Sequence, residues 1–322
     1  MIDNYGRTID YMRVSITDLC NLRCRYCMPA QGTHWLPMKE ILTLEEIVEI
    51  CRQASKIGIR KIKITGGEPL VRRGCTELIG MLKAVPGIEQ VTLTTNGVLL
   101  AQYAGELYEK GLDAVNVSLD TLDKDKFSEI TGFDAFSEVM RGISEMEKYP
   151  IPLKINAVPH RDVNDNEWQQ LTELARDHNL DIRFIEMMPI GLGQQFKPVS
   201  NIEILQKLQE YYGVLEPDKR VHGNGPAAYY HIPGFKGCIG FISAIHGKFC
   251  AQCNRIRLTS IGQIKPCLSY ADSISVKEAV RNQQWDEVRR LIEQAILSKP
   301  VGHSFENPAA VTEIREMAKI GG

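Results

Sequence analysis

The chain has 322 residues, a formal net charge of -2 from 38 Lys+Arg against 40 Asp+Glu, and 43% hydrophobic residues. That composition excludes disordered, collagen-like and mucin-like chains, and the length suits two domains or one barrel with an extension. Near charge balance argues against nucleic acid or an anionic membrane as partner, so an anionic ligand has to be caught by a local cluster of cations.

Up to about residue 190, β-branched runs alternate with amphipathic stretches, which predicts βα units and a parallel sheet. Six strands are expected: Tyr11–Thr17, Lys61–Thr65, Val91–Asn96, Ala114–Asp120, Leu153–Val158 and Asp181–Met187. The first helix between them opens on a capping box of Thr43 with Glu46 and turns Ile47, Ile50, Cys51, Ala54 and Ile57 inward. Cys75 precedes Leu78, Ile79 and Leu82 at helical intervals, so Cys51 and Cys75 both read as core residues. After Met188 a linker at Gly191–Gly193 and Pro198 leads to a helix over Asn201–Tyr212. Strand-like runs then follow near Tyr229–Ile232, Gly240–Ile245 and Arg255–Thr259, and Ser275–Ser298 reads as helical. Two domains are therefore expected, 1–190 and 191–322.

Parallel strands covered on both faces are normally apolar throughout, yet these alternate. One face carries Arg13, Ser15 and Thr17; then Lys61, Lys63 and Thr65; Thr92, Thr94 and Asn96; Asn116, Ser118 and Asp120; Lys154 and Asn156. The other face is almost entirely Val, Ile and Leu. With helices over the apolar face, the polar one must line an interior wide enough for a ligand, and its cations favour an anionic one. The alternative is an open sheet with helices on one side and a solvated face on the other.

Cys20, Cys24 and Cys27 form C-x3-C-x2-C directly after the first strand, on the rim where barrels keep their chemistry. Thiolates so spaced bind zinc or an iron-sulfur cluster, and a 4Fe-4S cluster on three cysteines leaves one iron open. His34 is an available fourth zinc ligand. A second triad, Cys250, Cys253 and Cys267, reads in isolation as zinc or cluster, with His246 as a further ligand; Cys238, ahead of the apolar run Ile239–Ile245, reads as packing.

The first triad with Tyr26, followed by Gly66-Gly67-Glu68-Pro69 after the second strand, resembles the radical S-adenosylmethionine (SAM) superfamily. Within it, Thr94-Thr95-Asn96-Gly97, Ser118-Leu119-Asp120, Phe184 to Pro189, the second triad with Arg255 and Arg257, and the terminal Gly321-Gly322 resemble the GTP 3′,8-cyclases of molybdenum cofactor biosynthesis, from Arg13 to the end. The resemblance implies a partial (β/α)6 TIM-like barrel with a smaller C-terminal iron-sulfur domain, and a lyase carrying two 4Fe-4S clusters and SAM. In such enzymes a 5′-deoxyadenosyl radical takes hydrogen from the ribose 3′ carbon of GTP, which then bonds to C8 of guanine. By position, Tyr26, Gly67, Ser118 and Met188 would contact SAM. Arg13, Lys63, Thr94, Lys154, Arg255 and Arg257 would contact GTP, and the Gly321-Gly322 tail would reach the active site. Position 63 is usually arginine in the family; lysine keeps the charge without the planar fork. The resemblance also implies an external one-electron reductant of flavodoxin or ferredoxin type and a downstream cyclic pyranopterin monophosphate synthase. No stretch reaches the roughly 18 apolar residues of a membrane span, and the first residues lack a signal peptide's apolar segment. A cytoplasmic monomer or homodimer is expected, with nine cysteines kept as thiols.

Overall fold

The structure, a computed structural model, describes residues 1–33 and 36–321; the His34 and Gly322 expectations lie outside the described residues. Among the described residues twelve strands form one sheet: β1 (Tyr11–Ser15), β2 (Lys61–Thr65), β3 (Gln90–Thr95), β4 (Ala114–Ser118), β5 (Leu153–Ala157), β6 (Leu180–Ile185), β7 (Glu216–Asp218), β8 (Ala228–His231), β9 (Ile239–Ile242), β10 (Arg255–Leu258), β11 (Gln263–Lys265) and β12 (Ile274–Ser275). The helices are α1 (Leu44–Lys56), α2 (Cys75–Lys83), α3 (Leu100–Glu109), α4 (Lys124–Thr131), α5 (Phe136–Met146), α6 (Trp168–Asp177), α7 (Asn201–Tyr212), α8 (Lys277–Arg281), α9 (Trp285–Leu297) and α10 (Met317–Ile320). The expected capping box forms: Glu46 N–H donates to Thr43 Oγ1 at 3.1 Å and Thr43 N–H to a Glu46 carboxylate oxygen at 2.8 Å.

Strands β1 to β6 run parallel in chain order, a partial (β/α)6 barrel. Their outward residues, Met12, Val14, Ile62, Ile64, Val91, Leu93, Val115, Val117 and Ile155, are completely buried beneath the helices. Each such side chain contributes about 1.5–3 kcal/mol, so this layer fixes which face turns inward. The inward residues line a cavity of about 490 Å³ around which the sheet curls, so the helices do not leave a flat solvated face.

The C-terminal strands are not a separate sheet. β10 pairs parallel with β1, setting Arg257 beside Arg13, and β9 pairs parallel with β6, setting Gly240 beside Arg183. β11 and β12 then extend one edge, β8 and β7 the other, all antiparallel. The helical run expected over Ser275–Ser298 is broken after Arg281, where Gln283 adopts φ 54° and separates α8 from α9.

Candidate active site

The first cysteine loop leaves the C-terminal end of β1 and is tied to the end of α4: Arg23 N–H donates to Thr131 O at 2.7 Å and Arg25 N–H to Ile130 O at 3.0 Å. The Arg23 guanidinium holds the carbonyls of Cys20 and Leu22 at 2.7 and 2.8 Å, shaping the turn from inside. Gly66 and Gly67 let the β2 loop close on this turn. A Cβ on Gly67 would stand 2.3 Å from Leu19 O, and one on Gly66 2.6 Å from Thr17 O, so the chain's own backbone demands both glycines. Gly67 also lines the cavity.

Glu68 is fully buried and accepts from Leu70 N–H (3.0 Å), Thr95 Oγ1 (2.7 Å) and Asn96 N–H (2.6 Å). Asn96 in turn donates to Asn21 Oδ1 at 2.7 Å and to Cys20 Sγ at 3.6 Å. The carboxylate thereby positions a cysteine through an amide. On the opposite wall Tyr26 Oη donates to Asp120 at 2.7 Å, while Val158 N–H holds the other Asp120 oxygen at 2.8 Å. The Tyr26 hydroxyl is thus occupied, and the residue lines the cavity. Burial lifts the Asp120 carboxyl to about 6, against those two hydrogen bonds.

The second triad lies across the cavity. Lys299 Nζ, gripped by Arg255 O and Pro266 O at 2.7 Å each, lies 3.9 Å from Cys253 Sγ, and His303 N–H lies 3.4 Å from Cys250 Sγ. Burial would raise the Cys253 thiol, but the charges of Arg255 and Lys299 bring it down to about 7. In the first triad burial pushes Cys27 up to about 12 and Cys24 well above its ordinary value, so these sulfurs become thiolates only when a cationic metal group neutralises them. A tetrahedral zinc at about 2.3 Å from each sulfur needs sulfurs about 3.8 Å apart. Among the described residues only Asp181, His222 and Cys238 bring three ligand atoms within 4.8 Å of one another, so neither cysteine triad is drawn together that closely. That trio is an ion-pair strut instead, since Asp181 faces Lys154 at 3.7 Å and Arg220 pairs with the adjoining Asp218. His246, an expected ligand, is engaged by a carboxylate: its Nδ1 lies 3.0 Å from a Glu186 oxygen. Cys51 and Cys75 are buried, as expected of core residues, whereas Cys238 is buried but polar in its contacts, its thiol donating to Asp218 at 3.1 Å and accepting from Arg220 at 3.4 Å.

Between the triads lies a field of positive charge. Arg13, Lys63, Lys154, Arg255 and Arg257 line the cavity with Thr94, Ser118 and Met188, and Arg183 and Lys299 join them. Burial pushes the Lys63 ammonium well below its ordinary value, and Arg183, Arg13, Lys154 and Arg255 push it further. Arg257 is lowered by burial and then by Arg13 and Arg255. Crowding of buried like charges favours an anion among them. Arg183 was missed by the sequence reading although it has the inward parity of Asp181 on the sixth strand. Lys61 was misplaced: it has the inward parity but begins its strand, where its ammonium pairs with Asp10 at 2.8 Å below the cavity.

The tail returns to this centre. Ile320 is fully buried in a small cluster with Ile190, Ala244, Phe305 and Val311, Met317 lines the cavity, and Arg257 donates to the Gly321 carbonyl. Gly321 has φ 73°, and a Cβ there would lie 3.0 Å from Ser15 Cβ and 3.1 Å from Thr65 Oγ1.

Residues 14–175 match the family model of the radical SAM superfamily, and residues 180–305 the model described as Molybdenum Cofactor Synthesis C. A Clostridium perfringens (strain 13 / Type A) protein named GTP 3′,8-cyclase is 44% identical over 323 residues, covering 100% of both chains. Its namesake in Alkaliphilus oremlandii (strain OhILAs) is 44% identical over 326 residues, again across 100% of both. Among solved structures, Streptococcus suis SuiB bound to precursor peptide SuiA aligns with TM-score 0.66 at 14% identity, over 96% of this chain and 75% of SuiB. Native anSMEcpe with bound AdoMet gives 0.59 at 17%, over 92% and 82%. At such identities these two are alike in fold.

Proposed function

Because the chain belongs to the GTP 3′,8-cyclase family of the radical SAM superfamily, we propose that it converts GTP to (8S)-3′,8-cyclo-7,8-dihydroguanosine 5′-triphosphate, a lyase step of molybdenum cofactor biosynthesis. Cys20, Cys24 and Cys27 would hold one 4Fe-4S cluster, and Cys250, Cys253 and Cys267 a second that faces the purine. When bound, the first cluster supplies the electron that splits SAM to the 5′-deoxyadenosyl radical. That electron comes from an external donor of flavodoxin or ferredoxin type, and the product would pass to a cyclic pyranopterin monophosphate synthase.

The residues of this chain do the rest. Tyr26, Gly67, Ser118 and Met188 are the SAM contacts, on the side of the cavity formed by residues 1–190. Arg13, Lys63, Lys154, Arg255 and Arg257, with Arg183, hold the triphosphate. Arginine contributes paired N–H donors and lysine a mobile point charge. Thr94 faces the same nucleotide. The division at 190 separates a SAM half from a half, 191–322, that carries the second triad, although β9 and β10 knit both into one sheet. Gly321 and Gly322 would bring backbone groups to the substrate along the Arg257 contact, without side chains in the way.

The observation that carries this reading is that both triads and the cationic field line one cavity. Anaerobically reconstituted protein with GTP, SAM and dithionite should release 5′-deoxyadenosine and the cyclised triphosphate in equal amounts. Cys253→Ala should abolish cyclisation while leaving some uncoupled SAM cleavage. Normal cyclisation by that variant would overturn the substrate-binding role of the second triad.

A further inference from the structure

The segment from Lys299 to Phe305 wraps the second triad, and it is held rigidly. Arg7, ion-paired with Asp3 at 2.7 Å, donates to the carbonyls of Cys250 (3.0 Å), Val301 (3.1 Å) and Pro300 (2.7 Å). Two donors of the segment already point at sulfur, His303 N–H at Cys250 and Lys299 Nζ at Cys253. The His303 ring lies against Phe305, with centroids 4.3 Å apart and planes 23° from parallel, and meets Phe249 edge-on. Its Nδ1 accepts Phe305 N–H at 3.4 Å. In a neutral imidazole that bond assigns the ring proton to Nε2. This Nε2 is buried without a partner, in a residue only 8% exposed that lines the cavity. A buried donor left unpaired is costly, so a ring fixed in this way is expected to have an acceptor.

We infer that His303 Nε2–H is a hydrogen-bond donor to a sulfur of the iron-sulfur group held by Cys250, Cys253 and Cys267, and that it sets the reduction potential of that group. The inference rests on the reading that this triad holds a cluster. Sulfur is favoured over the nucleotide as acceptor because the neighbouring donors of the same segment both end on sulfurs of this triad. A donor to sulfur stabilises the extra negative charge of the reduced state, so it raises the potential. One hydrogen bond to a charged acceptor corresponds to about tenfold in the reduced-to-oxidised ratio at a fixed poise, or 59 mV for one electron.

The test uses the reconstituted full-length enzyme without nucleotide, with the second cluster's signal identified as the one lost in Cys253→Ala. In a potentiometric EPR titration, His303→Phe should keep iron and sulfide at wild-type levels while its reduced-to-oxidised ratio falls about tenfold. His303→Gln, which retains a donor near the Nε2 position, should stay close to wild type. An unchanged potential in the Phe variant at full iron content would overturn the assignment. Should that variant fail to assemble, wild-type protein carrying histidine labelled with 15N at Nε2 decides the matter: a hyperfine coupling to the reduced second cluster supports the bond, and its absence refutes it. If Cys253→Ala loses neither iron nor signal, it is the two-cluster reading that has failed.

Discussion

Replacing Gly321 by alanine tests whether the tail acts at the site. The residue sits at φ 73°, a left-handed conformation that costs an L-residue about 1–2 kcal/mol. The new Cβ would also press on Ser15 at 3.0 Å and Thr65 at 3.1 Å. The tail stays docked through Ile320, whose burial contributes about 1.5–3 kcal/mol, and through the Arg257 bond. The strain therefore takes up much of what holds the tail down. The docked fraction relative to the undocked one should fall about 5- to 30-fold. Both cysteine triads lie outside the tail, so the iron content should not move. Single-turnover assays should show cyclised product falling while 5′-deoxyadenosine persists. Product formed at the wild-type rate would refute the role of the tail, because the strain follows from backbone geometry alone.

At Lys63, arginine should be tolerated and alanine should not, because the site requires positive charge there; equal cyclisation by Lys63→Arg and Lys63→Ala would place that side chain outside substrate contact. Arg255→Ala removes a guanidinium stacked 5.0 Å over Phe249, and calorimetry should show GTP binding weakened about 10- to 100-fold with SAM binding unchanged. Burial lifts the Glu68 carboxyl to about 7 from an ordinary 4.5, against its three hydrogen bonds. The folded chain then holds a proton that the unfolded chain has released, so this group makes stability fall as pH rises from about 4.5 to 7. Denaturant midpoints measured across that window should drop for the wild type and drop less for Glu68→Gln; parallel profiles would show that Glu68 ionises freely in the fold.

How much of this was legible depended on the kind of information each feature carries. Strand alternation encodes which face a residue occupies, so Arg13, Lys63 and Lys154 were found inside, and Arg183 was available by the same parity. Alternation does not encode depth, which is why Lys61 was placed in the cavity while it pairs with Asp10 below it. Cysteine spacing located both triads. The pairing of His246 was hidden because its partner, Glu186, lies 60 positions away, just beyond the end of β6. His303 gave no signal either, since only folding brings its amide to Cys250. The docking of β9 and β10 onto the two edges was equally unreadable: a strand of four residues shows its own periodicity and nothing of its neighbour.

That docking has a bearing on how the protein is made. Contacts between β1 and β10 join segments about 244 positions apart. At about 5–20 residues per second, a ribosome needs some tens of seconds to make the intervening chain, and throughout that time one edge of β1 offers its backbone to any passing strand. A nascent chain in this state already carries the complete SAM loop but neither Arg255 nor Arg257. The strand that finally seals the edge is the one that brings those two cations, so protection from aggregation and the capacity to hold a triphosphate arrive in a single event. A partly synthesised molecule is therefore sticky but lacks its substrate grip, and the reactive chemistry waits for the last strands to dock.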